Sequence, residues 1–315
     1  MHPKYDLPQI ISKLFEFKKK GICRFEHWKD RHFSEMCTFR IGGEVAHTVA
    51  PLDLASLCVL IRTLYGCGVP YFVLGGGSNI LPPDEGYAGV LILTSRLRGI
   101  SFTDDRLVAS CGAPLNECIL RSADRALSGL ERLYGIPATV GGAIYMNAGA
   151  NGCTVSDCLE SAELYDPDLD ATFVLSPAEM LFSYRESILQ MRRQFVVLRA
   201  TFLLHRDEKE RIRQTVRDTV RRRSESQPLQ FPSAGSAFKR PRNDTEAWRL
   251  IDRCGLRGLV KGGAQISEKH AGFIINCGGA TARDVCDLIT IARREVLHNT
   301  GILLIPEIEL LKNGK

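Results

Sequence analysis

The stretch LGGGSNIL, Leu74–Leu81, follows Pro70-Tyr71-Phe72-Val73. Apolar residues running into Gly75, Gly76 and Gly77 predict a buried strand that ends in a tight loop. Such loops offer bare backbone N–H groups to phosphate. Just upstream, DLASLCVLIRTLY (53–65) sets Leu54, Leu57, Cys58, Ile61, Leu64 and Tyr65 at helical spacing, with Asp53 as N-cap and Gly66 and Gly68 at the end. The segment reads as strand, helix, strand and glycine loop. The two commonest phosphate-loop patterns do not fit it. A G-x-x-x-x-G-K-[ST] loop needs a lysine for the outer phosphates, and Ile80, Leu81 and Pro82 stand there instead. A G-x-G-x-x-G fingerprint must open a helix, which Pro82 and Pro83 prevent.

A second run rich in small residues, GLERLYGIPATVGGAIYMNAGANG, spans Gly129–Gly152. Within it IPATVGGA offers another set of exposed N–H groups, with Pro137 fixing the entry. Taken alone, either run is as well explained by tight turns. Together, two glycine loops suit a long ligand with a central pyrophosphate. A flavin dinucleotide meets that description, and the small residues of MNAGA (146–150) could lie close to its flat ring.

The bulk numbers bound these readings. The chain has 315 residues, 44% hydrophobic and 24% charged, with net charge +5, values of a globular protein of about two domains. No apolar run reaches the roughly 18 residues needed to cross a bilayer, and the first twenty residues have no signal-peptide core. A cytoplasmic protein is expected. The basic runs Lys18–Lys20 and Arg221–Arg223 read as solvated helix faces, with no nucleic-acid motif beside them. Eleven cysteines contain no C-x-x-C pair and seven histidines have no ligand spacing, so reduced, mostly buried thiols and no structural metal are expected.

Elsewhere, residues 1–30 look helical, then irregular, and TFRIGGEVAHTVAP (38–51) resembles a strand pair or hairpin. GVLILT (89–94) and RLVASCG (106–112) read as strands, 116–127 as a helix, and 159–204 as strands around the turn YDPDLD. Residues 207–226 form a charged helix with Ile212, Val216 and Val220 on one face. Thr245–Cys254 reads as a short helix, 258–276 as strand material, and 281–298 as an amphipathic helix capped by Thr281 and Asp284 and stopped by Gly301. ILLIPEIELL (302–311) reads as a final strand with Pro306 at a bulge or edge.

TFRIGG, LGGGSNIL, GLERLYGIPATVGGAIYMNAGANG, YRES, PSAGSAFKRP, GGAQISEKHAGFIIN and GILLIPEIELL occur in this order between about Thr38 and Leu311. Together they resemble the UDP-N-acetylenolpyruvoylglucosamine reductase family. That resemblance implies an α+β chain: an FAD-binding fold of the vanillyl-alcohol-oxidase (PCMH) type, not a Rossmann fold, plus a C-terminal α/β substrate-binding domain. The expected division is an N-terminal part of the FAD region over 1–100, a second FAD subdomain over 101–206, a substrate domain over 207–300, and a returning strand over 301–315. FAD would be the cofactor and NADPH the hydride donor, with UDP-N-acetylglucosamine enolpyruvate reduced to UDP-N-acetylmuramate for peptidoglycan. No nucleic-acid, membrane or obligate protein partner is implied. FAD contacts are expected from Gly75, Gly76, Gly77, Ser78 and Asn79 and from Ile136, Pro137, Thr139, Gly141 and Gly142.

The implied chemistry leaves negative charge next to the substrate carboxylate and needs one proton. Ser236 in PSAGSAFKRP matches the family's proton donor, although by itself it is an ordinary loop serine. Arg185 in YRES matches the active-site arginine, whose fork can hold a carboxylate. Glu307 in PEIE matches the catalytic glutamate. Glu309 has the same strand parity, and only the position after Pro306 separates the two. A carboxylate beside an enolate is either protonated or bridged to Arg185 or water. Arg240 and His270 are the candidate substrate contacts. Two departures from the family stand out: Ala138 replaces the usual glycine, and 51 residues separate Arg185 from Ser236 (236 − 185), leaving little room for a tyrosine-bearing lid. The chain therefore resembles the shorter, type II branch. A flavin oxidase of the same fold is the nearest alternative, but neither glycine loop carries a histidine for covalent attachment. A non-catalytic nucleotide-binding protein would lack at least one of Arg185, Ser236 and Glu307.

Overall fold

The first helix forms because LPQIISKLFEFKK places Ile10, Ile11 and Leu14 on one buried face, while Asp6 accepts the Gln9 N–H at 3.1 Å. This helix, α1 (Leu7–Lys19), opens the computed structural model, which describes residues 6–241 and 245–311. Residues 1–5 of the expected N-terminal helical stretch and 312–315 of the expected returning strand lie outside that range. The chain divides into two discontinuous units. Met1–Lys29, Ala46–Gly76 and Ala88–Val220 form one; Asp30–Val45, Gly77–Tyr87 and Arg221–Lys315 form the other.

The first unit holds two sheets. One contains β1 (Phe25–His32), β2 (Glu44–Pro51), β3 (Tyr71–Leu74) and β4 (Tyr87–Leu93) in the order β1-β2-β4-β3, with Tyr71 opposite Val90 in a parallel pair. The unit boundary falls within β1, β2 and β4. Helix α2 (Leu54–Gly66) follows β2. Asp53 caps it by accepting the Ser56 N–H at 2.8 Å, and Leu57, Leu60, Ile61 and Leu64 are buried. Each such side chain contributes about 1.5–3 kcal/mol relative to an exposed position. The second sheet is antiparallel: β5 (Ile100–Thr103), β6 (Arg106–Ser110), β7 (Leu159–Asp166), β8 (Ala171–Leu175) and β9 (Val196–Leu203), in the order β8-β7-β9-β6-β5. The turn YDPDLD joins β7 to β8. Helices α3 (Leu115–Asp124), α4 (Val140–Tyr145) and the part of α5 (Lys209–Ser226) up to Val220, where the unit boundary falls, complete the pattern. One apolar core includes Leu14, Leu57, Ile61, Val90, Leu107, Ala143, Leu164 and Phe202.

In the second unit, β10 (Ser233–Ser236), β11 (Val260–Lys261), β12 (Ala264–Ile266) and β13 (Phe273–Asn276) form an antiparallel sheet in the order β10-β13-β12-β11. It is accompanied by α6 (Ala247–Arg253) and α7 (Ala282–Thr300). The Thr281/Asp284 capping box is present, and Asp84 adds a second cap through the N–H groups of Ala282 (2.7 Å) and Arg283 (3.1 Å).

The α+β class matches the expectation, and three local expectations are corrected. Residues 38–51 are not a hairpin: only Glu44–Pro51 is strand, because Arg40 (φ 53°) and Gly42 (φ 111°) turn the preceding chain. The helix expected over 116–127 ends at Asp124, because Ala126 adopts φ 57°. ILLIPEIELL is strand only at Glu309–Leu310, which lies parallel to Ile80–Leu81. Pro306 is tolerated because the hydrogen bonds belong to its neighbours. Lys239 N–H donates to Ile305 O (2.8 Å) and Glu307 N–H donates to Ala237 O (2.9 Å), so the position of the missing donor is not one the ladder uses.

Candidate active site

In the first unit the two glycine runs meet. A Cβ on Gly75 would lie 2.3 Å from Thr139 Oγ1, and one on Gly76 would lie 2.8 Å from Pro137 O. Neither position accepts a side chain without moving the other loop. Ile136, Pro137 and Ala138 form a tight turn, with Ala138 N–H donating to Ile136 O at 2.9 Å. Ala138 does not have a left-handed φ, so its departure from glycine carries no backbone strain. Thr139 starts α4 by accepting the Gly142 N–H at 3.4 Å. Gly141 donates to Cys111 O at 2.8 Å, and its Cβ would be 3.1 Å from the Cys111 Cβ. Cys111 is the kind of cysteine the composition suggests: buried, its thiol pushed up to about 12 by burial, hence unreactive.

Gly142 is different. It is exposed within a helix, and an added Cβ would make only an ordinary 3.5 Å contact. Glycine there costs the helix about 1 kcal/mol relative to alanine, and the protein's own packing does not explain it. A cofactor that approaches the backbone does. The glycine-lined meeting of loops 75–76 and 137–142 fits an elongated dinucleotide, so the residues present suit FAD.

Arg185 lies in the same unit at the third position of the turn Ser183–Glu186, where Glu186 N–H donates to Ser183 O at 3.2 Å and Ser183 N–H donates to Glu186 O at 3.1 Å. Its φ is +60°, the left-handed value that a type II turn demands at that position and that normally selects Gly or Asn. The guanidinium is anchored by Nη2 donating to Gly149 O at 2.8 Å and stands over Tyr184 at 5.3 Å. The Gln190 amide holds the Arg185 carbonyl at 3.1 Å. A Cβ at Gly149 would lie 2.8 Å from Thr154 Cγ2 and 3.2 Å from Arg185 Nη1. MNAGA is therefore small at Gly149 partly to admit the arginine, a reason that the sequence alone did not supply.

Ser236 ends β10 in the second unit. The register runs from Ser233 opposite Ile275 to Ser236 opposite Phe273, so β10 carries one residue more than its partner. The bulge falls at Gly235, with φ +77° and open space where a Cβ would be. A bulge of this kind bends the strand and re-aims the next side chain; Ser236 is exposed. Ala237 is fixed on both sides, its N–H on Gly272 O (2.8 Å) and its carbonyl on the Glu307 N–H (2.9 Å). This separates the two glutamates that strand parity left equal. Glu307 lies beside the Ser236 segment, whereas Glu309 N–H donates to Asn79 O at 2.9 Å. Gly77 has φ +60° and no room for a Cβ, which would meet Met36 O at 2.5 Å. Its carbonyl accepts the Thr38 N–H at 3.0 Å, and Thr38 Oγ1 donates to Ser233 O at 2.7 Å. Ser78 and Asn79 are half-buried, and Asn79 Nδ2 donates to Glu307 O at 3.1 Å. Thr38 opens TFRIGG, but no local sequence pattern marks its role.

Arg240 is exposed and ion-paired with Glu246 at 3.0 Å. His270 is packed among rings, with Trp248 at 5.5 Å and Phe273 at 5.1 Å, and its Nδ1 accepts the Gly272 N–H at 3.2 Å. Burial lowers its pKa, with a smaller opposing pull from Glu246.

A family model described as an FAD binding domain matches residues 45–169, and one described as UDP-N-acetylenolpyruvoylglucosamine reductase, C-terminal domain, matches 227–311. The curated UDP-N-acetylenolpyruvoylglucosamine reductase of Caldicellulosiruptor bescii is 43% identical over 93% of this chain and 92% of its own. That of Clostridium beijerinckii is 40% identical over 96% of both. The crystal structure of the corresponding reductase from Thermus caldophilus superposes with a TM-score of 0.76 at 34% identity, covering 92% of this chain and all of that one.

Proposed function

The chain belongs to the UDP-N-acetylenolpyruvoylglucosamine reductase family, and on that premise we propose how its own residues divide the work. The reaction is the NADPH-dependent reduction of UDP-N-acetylglucosamine enolpyruvate to UDP-N-acetylmuramate, a step of peptidoglycan precursor synthesis, with FAD as cofactor. Held by the glycine loops, FAD would supply the hydride-transfer chemistry between NADPH and the enolpyruvyl methylene carbon.

The residues then have three tasks. The carbon next to the substrate carboxylate becomes enolate-like and needs one proton. Ser236 is assigned its delivery: a serine is a weak acid, but an enolate carbon is basic enough to take its proton. The bulge at Gly235, which presents the hydroxyl at the strand end, is the observation that carries this assignment. Arg185 is assigned the carboxylate and its developing charge; its strained φ and its anchor on Gly149 support a side chain retained for its chemistry. A serine that gives up a proton must regain one, and Glu307, whose N–H is bonded to the carbonyl of the residue after Ser236, is assigned that supply. Gly75–Ser78, Ile136, Pro137, Thr139, Gly141 and Gly142 are assigned to FAD, with the unexplained glycine at 142 as support; the expected Asn79 contact is left out of that set because its amide is bonded to Glu307 O. Arg240 is assigned to the substrate diphosphate, and His270 to shaping the surface beside it.

The enzyme is placed in the cytoplasm, which supplies NADPH and uridine nucleotides. Eleven free thiols suit that reducing compartment, and among the described residues no helix is long and apolar enough to cross a membrane. The test is the visible spectrum under anaerobic rapid mixing. Wild type is expected to bleach with NADPH and recover with the enolpyruvyl sugar nucleotide, and Ser236→Ala to bleach normally but fail to recover. Recovery at the wild-type rate in Ser236→Ala would remove that residue from the mechanism. Recovery of wild type with oxygen alone would make the protein an oxidase.

A further inference from the structure

Within the second unit, a closed ring of hydrogen bonds joins the end of the glycine loop to the segments that carry Ser236 and Glu307. Asn79 Nδ2 donates to Glu307 O at 3.1 Å, and the Asn79 carbonyl accepts the Glu309 N–H at 2.9 Å. Ile80 and Leu81 continue the grip as a parallel pair with Glu309 and Leu310, and Leu311 N–H donates to Leu81 O at 3.1 Å. On its other side, the Glu307 N–H is held by Ala237 O at 2.9 Å. Thr38 closes the ring, from Gly77 O (3.0 Å) to Ser233 O (2.7 Å) at the start of the Ser236 strand. Both polar groups of the Glu307 peptide are thus occupied. The bond to the Glu307 carbonyl comes from the Asn79 side chain.

We propose that Asn79 is a positioning residue for Glu307: its amide fixes the peptide from which the glutamate side chain springs, and so ties the glycine loop to the proton-delivery pair. A peptide fixed at both ends leaves the glutamate only its own rotamers to choose from. Without the amide, the Glu307 carbonyl loses that donor, and the next bond from its segment to the glycine loop is the Glu309 N–H on Asn79 O, two residues on. One of the two Asn79 amide hydrogens is committed to Glu307, so any contribution to the FAD phosphates is secondary. The inference rests on the assignment of Glu307 made above. It differs from a cofactor-ligand role in which half-reaction it touches.

The experiment uses FAD-loaded wild type, Asn79→Ala and Asn79→Asp. FAD dissociation is measured by fluorescence, and each half-reaction by anaerobic stopped flow. In Asn79→Ala, FAD affinity and flavin reduction by NADPH are expected within about twofold of wild type, while reoxidation by the enolpyruvyl substrate slows about 10- to 100-fold, the scale of a misplaced catalytic group. At neutral pH the Asn79→Asp carboxylate would face the Glu307 carbonyl without a proton to donate, so reoxidation is again slow. As pH falls that carboxyl regains a donor, and reoxidation recovers toward wild type, which Asn79→Ala does not do. A tenfold or greater loss of FAD affinity with equal half-reactions at saturation would make Asn79 a cofactor ligand and overturn the proposal. So would equal slowing of both half-reactions, or Asn79→Asp and Asn79→Ala sharing one pH profile. Failure of wild type itself to be reoxidised by the substrate would instead bring down the functional reading, and this inference with it.

Discussion

Replacing Gly75 by alanine tests whether the first glycine run is small for phosphate or for its neighbour. The new Cβ would stand 2.3 Å from Thr139 Oγ1, about 1.1 Å inside an ordinary 3.4 Å contact. Thr139 is buried and cannot simply swing into solvent. Its hydroxyl also caps α4 through the Gly142 N–H. Rotating it away forfeits that cap, about 1 kcal/mol, and displacing the loop adds roughly 1–3 kcal/mol of overpacking. Gly75→Ala is therefore expected to destabilise the FAD-free protein by about 2–4 kcal/mol, measured by urea denaturation of apoprotein so that cofactor linkage is absent. Thr139→Ala alone should cost only the cap. The double variant should cost less than Gly75→Ala, because the nearest remaining Thr139 atom, Cβ, is 3.5 Å away. That negative coupling is the signature of direct contact. Additive losses, or a Gly75→Ala cost under about 0.5 kcal/mol, the range of unremarkable surface changes, would refute the account.

Three further outcomes are expected. Gly142→Ala should stabilise the apoprotein by up to about 1 kcal/mol while weakening FAD binding at least tenfold by fluorescence titration; unchanged affinity would remove the argument for cofactor approach at that glycine. Arg185→Gly should relieve a left-handed φ costing about 1–2 kcal/mol, yet slow substrate-driven flavin reoxidation by about 10²–10³, the usual effect of deleting a charge-stabilising donor; wild-type reoxidation would clear Arg185 of its role. The His270 pKa is lowered by burial, so the folded state binds its proton less readily than the unfolded chain. Its contribution is complete above the ordinary histidine value of 6.5 and is lost as pH falls through the depressed folded value. Protonated Nδ1 also ceases to accept the Gly272 N–H. Denaturation of wild type and His270→Phe at pH 7.5 and 5 should show wild type losing more stability on acidification, and parallel losses would contradict this.

Much of the fold was legible because regular elements announce themselves by period and cap. The apolar spacing of 54–65 with Asp53 ahead of it, and Thr281 ahead of 282–300 with Asp284 at the third helical position, need only local chemistry to be read, and both caps are made as expected. What failed was local sequence whose conformation is set from outside. ILLIPEIELL has strand composition throughout, but beyond an isolated bridge at Pro306 only Glu309–Leu310 is strand, paired with Ile80–Leu81 far away in the chain. The 38–51 stretch alternates like a hairpin, yet its glycines serve close approach: a Cβ on Gly43 would lie 2.1 Å from Asp84 O, a contact that no local pattern encodes.

The site was legible only through ordered motifs, and its backbone explains why. Arg185 occupies a left-handed turn position, Ser236 follows a bulge, and Glu307 follows a proline at an isolated bridge. Periodicity describes where the chain is regular, and each of these residues sits where regularity is broken. Breaking it is what aims the side chains: a regular strand through Ser233–Ser236 would put Ser236 opposite Gly272 rather than Phe273 and turn its hydroxyl to the opposite face. The same holds for the glycines. From sequence, Gly75–Gly77 and Gly142 look alike. In the structure the first three are small because Thr139, Pro137 and Met36 press on them, while among the described residues a Cβ on Gly142 would meet only Thr139 Oγ1, at an ordinary 3.5 Å. A glycine that the protein's own atoms do not require is the stronger pointer to a ligand, and it lies in the less conspicuous of the two loops.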